Sequence, residues 1–325
     1  MLVKNLNRLQ TYLKERQIYL RIPNRFWSKE IYGSRVSFHK LIYNDSDKSI
    51  LIKPFNFLVY EEKPEYHFLL KEENVRLAQT LKKSYDCHFE TNENQELVVN
   101  IEGLKALIKS EQDLEIIKEI FVQGVYNFIC SQPLVVVDIG MNVGWASLYF
   151  ALNDNVQQIY SFEPFKKTYE EALNNFALNP NLKEKINPFD YGIGGKDEVV
   201  TVEYDYDLKA SVGVKGLPES MEKKSQGKKI KEDITIKSAT DVLSPVFEKF
   251  SDTDFMAKID CEGSEYDILK CLEEANMLTR FKVIIMEWHE KGPDELVGYL
   301  NRANFTVFSR RPKSKNIGMI YAVKN

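Results

Sequence analysis

The pattern of apolar and polar positions along the chain changes near residue 110. Upstream, Leu2, Leu6, Leu9, Leu13, Tyr19 and Leu20 recur at helical spacing among Lys and Arg, which predicts an amphipathic helix ending before Pro23. The β-branched and aromatic stretches Val36 to Tyr43 and Ser49 to Tyr60 flank the polar cluster Asn44-Asp45-Ser46-Asp47 and predict a strand pair. A helix over Glu72 to Tyr85 and a short strand over Glu96 to Ile101 complete an N-terminal α+β region.

From Glu111 onward the signal is stronger. Leu114, Ile117, Ile120, Phe121 and Val125 trace one helix face, and Pro133 separates that helix from Leu134-Val135-Val136-Val137. Four consecutive aliphatic residues predict a strand buried on both faces, as in the centre of a parallel sheet. Further strands are predicted at Gln158 to Phe162, Ile186 to Tyr191, Ile234 to Ala239, Phe255 to Asp260 and Phe281 to Met286, with an edge strand at Glu198 to Tyr204. Helices are predicted between them, over Ala146 to Leu152, Lys167 to Leu178, from Asp241, and after Ser264, where an S-x-x-D start precedes inward-facing Ile268, Leu269, Cys271 and Leu272. This alternation predicts an α/β fold with a doubly wound, mostly parallel sheet. After a helix over Asp294 to Asn301, the late strands Phe305 to Ser309 and Gly318 to Val323 predict an antiparallel hairpin, joined by a basic turn through Arg310-Arg311-Pro312-Lys313. The predicted organisation is an accessory region over residues 1–110 and a core domain over 111–325.

Composition narrows the function classes. Lys plus Arg total 44 against 48 Asp plus Glu, a net charge of -4, so no basic field points to nucleic acid. No apolar run approaches the roughly 20 residues needed to span a bilayer, and no signal-like leader is visible, so a cytoplasmic protein is expected. The four cysteines include no C-x-x-C pair and the four histidines are scattered, so a zinc-type site is not predicted and the thiols are expected to be reduced. The lysine-rich stretch over residues 219–233 reads as a solvated, mobile loop. Arg21, Arg25, Trp27, Tyr32 and Arg35 could belong to a substrate surface or to ordinary surface and core.

Candidate chemistry collects where strands end. Asp138 closes the first buried strand, and Gly140 and Gly144 permit a sharp turn and a close backbone approach to a ligand. The dinucleotide fingerprint wants glycines at the first, third and sixth places, which here hold Gly140, Asn142 and Trp145. Asn and Trp would crowd a pyrophosphate, whereas an acidic strand end followed by G-x-N-x-G suits a cationic ligand bearing an amino acid group, such as S-adenosylmethionine. Glu163 follows Asp138 by 25 residues, near the offset at which an acid meets ribose hydroxyls. Asp190 and Tyr191 end the next strand before a glycine loop that would admit a purine. Asp260, Glu262 and Glu265 gather at the end of the strand from Phe255, and His289 follows the one from Phe281. Asp260, Glu262 or His289 could act as a base. Asp260 with Glu262 could alternatively ligate a divalent ion, although no metal is predicted.

Over about residues 111–325 the chain resembles the FkbM family of S-adenosylmethionine-dependent methyltransferases. The resemblance rests on Val-Val-Asp-Ile-Gly-Met-Asn-Val-Gly (136–144), Phe-Glu-Pro (162–164), Ile-Lys-Ser-Ala-Thr-Asp-Val-Leu (236–243) and Lys-Ile-Asp-Cys-Glu-Gly-Ser-Glu (258–265). It implies a Rossmann-like class I methyltransferase fold of seven strands and S-adenosylmethionine as donor. It also implies O-methylation of a sugar, polysaccharide or natural-product hydroxyl, with N-methylation of a peptide side chain as the alternative. On this reading Asp138, Gly140, Asn142 and Gly144 hold the aminocarboxypropyl arm, Glu163 the ribose, and Asp190 with Tyr191 the adenine. The acceptor is a small molecule, a glycan or a peptide, and residues 1–110 could recognise it or form a homodimer. A nicotinamide-dependent oxidoreductase and a non-catalytic binding protein are the competing readings.

Overall fold

The computed structural model describes residues 41–44, 46–60, 62–205, 212–214, 216, 229–310 and 316–325. The helix expected before Pro23 and the residues Arg21, Arg25, Trp27, Tyr32 and Arg35 lie outside them. The chain forms two compact units, Met1–Gln123 and Gly124–Asn325.

In the first unit, β1 (Leu41–Asn44), β2 (Ser49–Ile52) and β3 (Phe57–Tyr60) make one antiparallel meander. The single strand expected over Ser49 to Tyr60 is thus two, because Pro54 cannot donate to a ladder and Asn56 adopts a left-handed φ of 51° in the turn. After a 3-10 turn, α1 (Glu72–Ser84) precedes a second meander of β4 (Cys87–Thr91), β5 (Leu97–Ile101) and β6 (Leu104–Ile108). The Phe55 and Phe89 rings meet edge to face at 5.0 Å and join the two meanders. Ser110 and Asp113 form a reciprocal capping box that starts α2 (Glu111–Ile117), which continues as a π-turn to Val122.

The second unit is built on a seven-stranded sheet, as the family resemblance implies. Its strands are β7 (Leu134–Ile139), β8 (Val156–Phe162), β9 (Ile186–Phe189), β13 (Asp254–Ile259), β14 (Phe281–His289), β15 (Phe305–Arg310) and β16 (Ile317–Lys324). The spatial order is β15-β16-β14-β13-β7-β8-β9, and only β16 runs against the others. All six residues of β7 are buried, as a central strand covered on both faces requires. The covering helices are α3 (Trp145–Ala151), α4 (Lys166–Ala177), α5 (Pro180–Lys183), α6 (Ala239–Lys249), α7 (Glu265–Glu274) and α8 (Asp294–Arg302). Phe255, Phe281, Ile284, Met286 and Trp288 form the centre of one large cluster with Leu269 and Leu300. Each such side chain contributes roughly 1.5–3 kcal/mol by leaving water.

A separate three-stranded sheet pairs β12 (Lys229–Ser238) with β10 (Gly192–Gly194) in parallel and with β11 (Glu198–Asp205) antiparallel. Here the reading of residues 219–233 as loop needs correction. Residues 229–233 belong to β12, where Lys231 lies 3.4 Å from Glu203 across the ladder, and cross-strand pairing has overridden the charge run. Residues 217–228 lie outside the described part. All four cysteines are free thiols. Among the described residues no helix is long and apolar enough to cross a membrane.

Candidate functional site

The parallel strands place their C-terminal ends along one edge of the sheet, in the order β14, β13, β7, β8, β9. In register, Lys258 of β13 faces Asp138 of β7, and Ile259 faces Met286 of β14. Asp260, one step further along, therefore stands beside Glu287. Because side chains on a strand repeat every second residue, Lys258 shares a face with Asp260, and Glu287 with His289.

Asp138 is fully buried. Its Oδ2 accepts a hydrogen bond from Ser147 at 2.6 Å, and its Oδ1 lies 3.3 Å from the Lys258 ammonium. The carboxylate thus supports the turn from beneath. Lys258 also donates to the Gly140 carbonyl and lies 3.8 Å from Asp260 Oδ2. Burial opposes its charge, but the Asp138 and Asp260 carboxylates outweigh that and raise its pKa. A buried lysine within the otherwise apolar Phe255-Met256-Ala257-Lys258-Ile259 was the one sequence signal that could have singled it out.

The glycines of the turn have a structural reason beyond ligand approach. Gly140 has φ 79°, and a Cβ there would stand 1.9 Å from the Asp260 carbonyl oxygen. Gly144 has φ 85°, and its Cβ would meet the Phe176 ring at 2.5 Å. The first glycine lets the β7 turn touch the β13 end, and the second lets α4 pack. Asn142 between them is left-handed at φ 51°, with its Oδ1 accepting from Val143 N at 2.7 Å. Trp145 is 1% exposed and belongs to the core, so of the two residues expected to crowd a pyrophosphate only Asn142 is on the turn itself.

Glu163 ends β8 and binds the same turn. Its Oε2 accepts from Asn142 N at 3.0 Å and its Oε1 from Phe165 N at 3.1 Å. Burial pushes its pKa up to about 7 against the opposing pull of these two amides. Each oxygen keeps a second lone pair that can accept from a further donor. Asp190 is exposed beyond the end of β9, beside a half-buried Tyr191 whose ring carries Lys237 Nζ at 4.0 Å from its centroid. The Phe162, Phe189 and Tyr191 rings form one apolar group there, with centroids 5.1 to 5.6 Å apart.

At the opposite end, Asp260 Oδ2 accepts from the Tyr126 hydroxyl at 3.2 Å. Glu262 is strained into the left-handed region at φ 53°, next to Gly263 at φ 109°. Ser264 precedes α7 but makes no side-chain cap, contrary to the S-x-x-D expectation. Glu265, fully buried, folds back instead, accepting from Gly263 N at 2.9 Å and Cys261 N at 3.2 Å. It also meets His289 Nδ1 at 2.9 Å, while His289 Nε2 lies 3.5 Å from Glu262 and 3.9 Å from Glu287. Burial alone would lower the His289 pKa, but the Glu265 hydrogen bond and the surrounding carboxylates raise it to about 10. Burial also lifts Glu262 to about 7 against the pull of His289. The ring of His289 is thus surrounded by carboxylates that favour its charged form. Sequence reasoning missed Lys258 and Glu287, which strand register brings to this edge, and Tyr126, which reaches Asp260 from the loop before β7.

The strand ends thus offer, in sequence along one edge, a carboxylate cluster, a strained glycine turn, a desolvated acid and an exposed acid beside aromatics. A model of the methyltransferase FkbM domain matches residues 138–307, just over half of the chain. Methyltransferase sdnD of Sordaria araneosa is 26% identical over 199 residues, covering 54% of this chain and 75% of that protein. Among solved structures, methyltransferase FkbM from Methylobacillus flagellatus KT is 16% identical, with a TM-score of 0.40 over 62% of this chain and 46% of the other. The chain therefore spans less than half of that relative's length. TrmK of M. capricolum, solved with S-adenosyl-homocysteine, is 13% identical with a TM-score of 0.34 over 63% of this chain and 67% of its own. With the FkbM domain model matching just over half of its length, the chain belongs to the FkbM family and is an S-adenosylmethionine-dependent methyltransferase.

Proposed function

We propose that this methyltransferase acts on a hydroxyl oxygen of a sugar, polysaccharide or natural product. The observation that carries the reading is the gathering of Asp260, Glu262 and Glu287 at the ends of β13 and β14, immediately beside the Gly140 turn. A carboxylate-lined basin suits removal of a hydroxyl proton and repels polyanionic acceptors.

The cofactor residues fit an extended donor. Neighbouring strands lie about 4.8 Å apart, so the ends of β7, β8 and β9 span roughly 10 Å. The Gly140–Gly144 turn would hold the aminocarboxypropyl arm, with Asp138 and Lys258 bracing it from below. Glu163 would accept the ribose hydroxyl protons, and Asp190 with Tyr191 would receive the adenine. S-adenosylmethionine, when bound, supplies an electrophilic methyl carbon on its sulfonium. In the transfer, an acceptor oxygen forms a bond to that carbon while the carbon–sulfur pair stays on sulfur. The acceptor's proton passes to Asp260 or Glu262. His289, tied to Glu265 through Nδ1 and flanked by Glu262 and Glu287, takes a positioning role rather than that of base. Residues of the first unit are proposed to recognise the acceptor or to pair two copies of the chain.

The test is calorimetric titration with S-adenosylhomocysteine and, separately, with NAD, followed by radiolabelled methyl transfer to polyol, glycan and peptide acceptors. Saturable binding of S-adenosylhomocysteine and label on an alkali-stable ether support the proposal. Binding of NAD alone, or label confined to peptide nitrogen, overturns it.

A further inference from the structure

One ligand atom from each of Asp260, Glu287 and His289 lies within 4.8 Å of the other two. Two metal–ligand bonds of about 2.0–2.4 Å end to end span up to ~4.8 Å, so one cation could reach all three without moving the backbone. This set differs from the Asp260 and Glu262 pair that sequence suggests, since the register sets Glu287 of β14 beside Asp260 of β13, with one ligand atom of each in reach of His289.

The imidazole gives a second, independent indication. The His289 side chain is 6% exposed, and its Nδ1 is tied to the wholly buried Glu265 at 2.9 Å. A buried carboxylate on Nδ1 is the arrangement that orients a metal-ligating histidine and leaves Nε2 as the donor. Nε2 makes no hydrogen bond among the described residues. The nearest oxygen is Glu262 Oε2 at 3.5 Å, and Glu287 Oε2 is at 3.9 Å. Lys258, buried at the same edge, lies 3.8 Å from Asp260 and is shared with Asp138.

We propose that Asp260, Glu287 and His289 bind one first-row divalent cation, with Glu265 as the residue that orients His289. One nitrogen and two carboxylate donors suit Mn2+ or a neighbouring transition ion rather than Mg2+ or Ca2+, which favour oxygen alone. With a cation bound, Nε2 donates to it in place of carrying a proton. The cation then stands at the acceptor end of the sheet, where it would hold the acceptor oxygen and make its proton easier to remove. That chemical role rests on the methyl-transfer reading, whereas the ligand set does not.

The experiment titrates the chelator-treated full chain with Mn2+, following free Mn2+ by electron paramagnetic resonance, with and without saturating S-adenosylhomocysteine. The expected result is about one saturable site per chain, with spin-echo modulation from one coordinated 14N. Glu287→Gln and His289→Gln should each weaken Mn2+ at least tenfold and Glu265→Gln about tenfold. S-adenosylhomocysteine affinity should stay within about threefold in all three. Should His289→Gln fail to fold, Glu287→Gln at the more open side of the site carries the test. The absence of saturable Mn2+ binding, equal affinity in Glu287→Gln, or a spectrum without 14N coupling would overturn the site. Loss of S-adenosylhomocysteine binding in the unaltered chain would instead overturn the cofactor reading, leaving the Mn2+ result to stand alone.

Discussion

The Lys258 ammonium lies 3.3 Å from Asp138 Oδ1 between adjacent parallel strands, and both side chains are almost completely buried. The pair lies under the turn that opens the site, and Lys258 reaches the Gly140 carbonyl as well. Removing one partner leaves an unpaired charge in the core. Lys258→Met should destabilise the protein by roughly 3–5 kcal/mol in urea unfolding. The double variant Lys258→Met with Asp138→Leu should recover a large part of that loss, because two apolar groups of similar volume leave no buried charge. A double variant no more stable than the single one would show that the pair is not the source of the effect.

The contact between Gly140 and the Asp260 carbonyl makes a sharper prediction about backbone. Gly140→Ala must relieve a 1.9 Å approach and also occupy φ 79°. It should cost more than the ~1–3 kcal/mol of left-handed strain alone and abolish binding of S-adenosylhomocysteine. Thermal unfolding and calorimetry would check this. An alanine variant of normal stability would mean that the turn and the β13 end do not touch.

Glu163 sets the expected pH dependence. Its carboxyl, raised to about 7 by burial, must be ionised to accept two ribose hydroxyl protons. Affinity for S-adenosylhomocysteine should therefore be steady above about pH 7 and fall about tenfold per unit below it. The sign reverses for the stability of the free protein. The folded acid holds a proton that the unfolded chain, near its usual carboxylate range, has lost, so this group's contribution declines as pH rises through 7. Glu163→Gln should flatten the binding profile, and a pH slope that persists in that variant would assign it to another group.

Asp260 and Glu262 are expected to separate chemistry from binding. Asp260→Asn should lower kcat by about 100-fold or more while leaving S-adenosylhomocysteine affinity within a few-fold. Tyr126→Phe, which removes the 3.2 Å hydrogen bond to Asp260, should have a smaller effect of the same kind. Steady-state kinetics beside calorimetry would decide. Full turnover in a combined Asp260→Asn and Glu262→Gln variant would remove both carboxylates from the proton transfer.

The sequence by itself determined the architecture of the second unit and the identity of its acidic strand ends. Buried runs such as Leu134 to Val137 suit a strand covered on both faces of a parallel sheet. The acids that interrupt such runs fall at or next to strand ends, Asp138 as the last residue but one of β7 and Glu163 and Asp260 directly after β8 and β13. Asp138, Glu163 and Asp260 could therefore be placed from periodicity alone. What lies beside each strand end depends on register and strand order, which link residues far apart in the chain and leave no local periodic signal. Only the tertiary structure set Lys258 against Asp138, Asp260 beside Glu287, and Glu265 against His289. It also showed that Gly140 makes room for the Asp260 carbonyl and that carboxylates surround His289 and raise its pKa, because burial and neighbouring charge are properties of packed strands and not of any stretch of sequence.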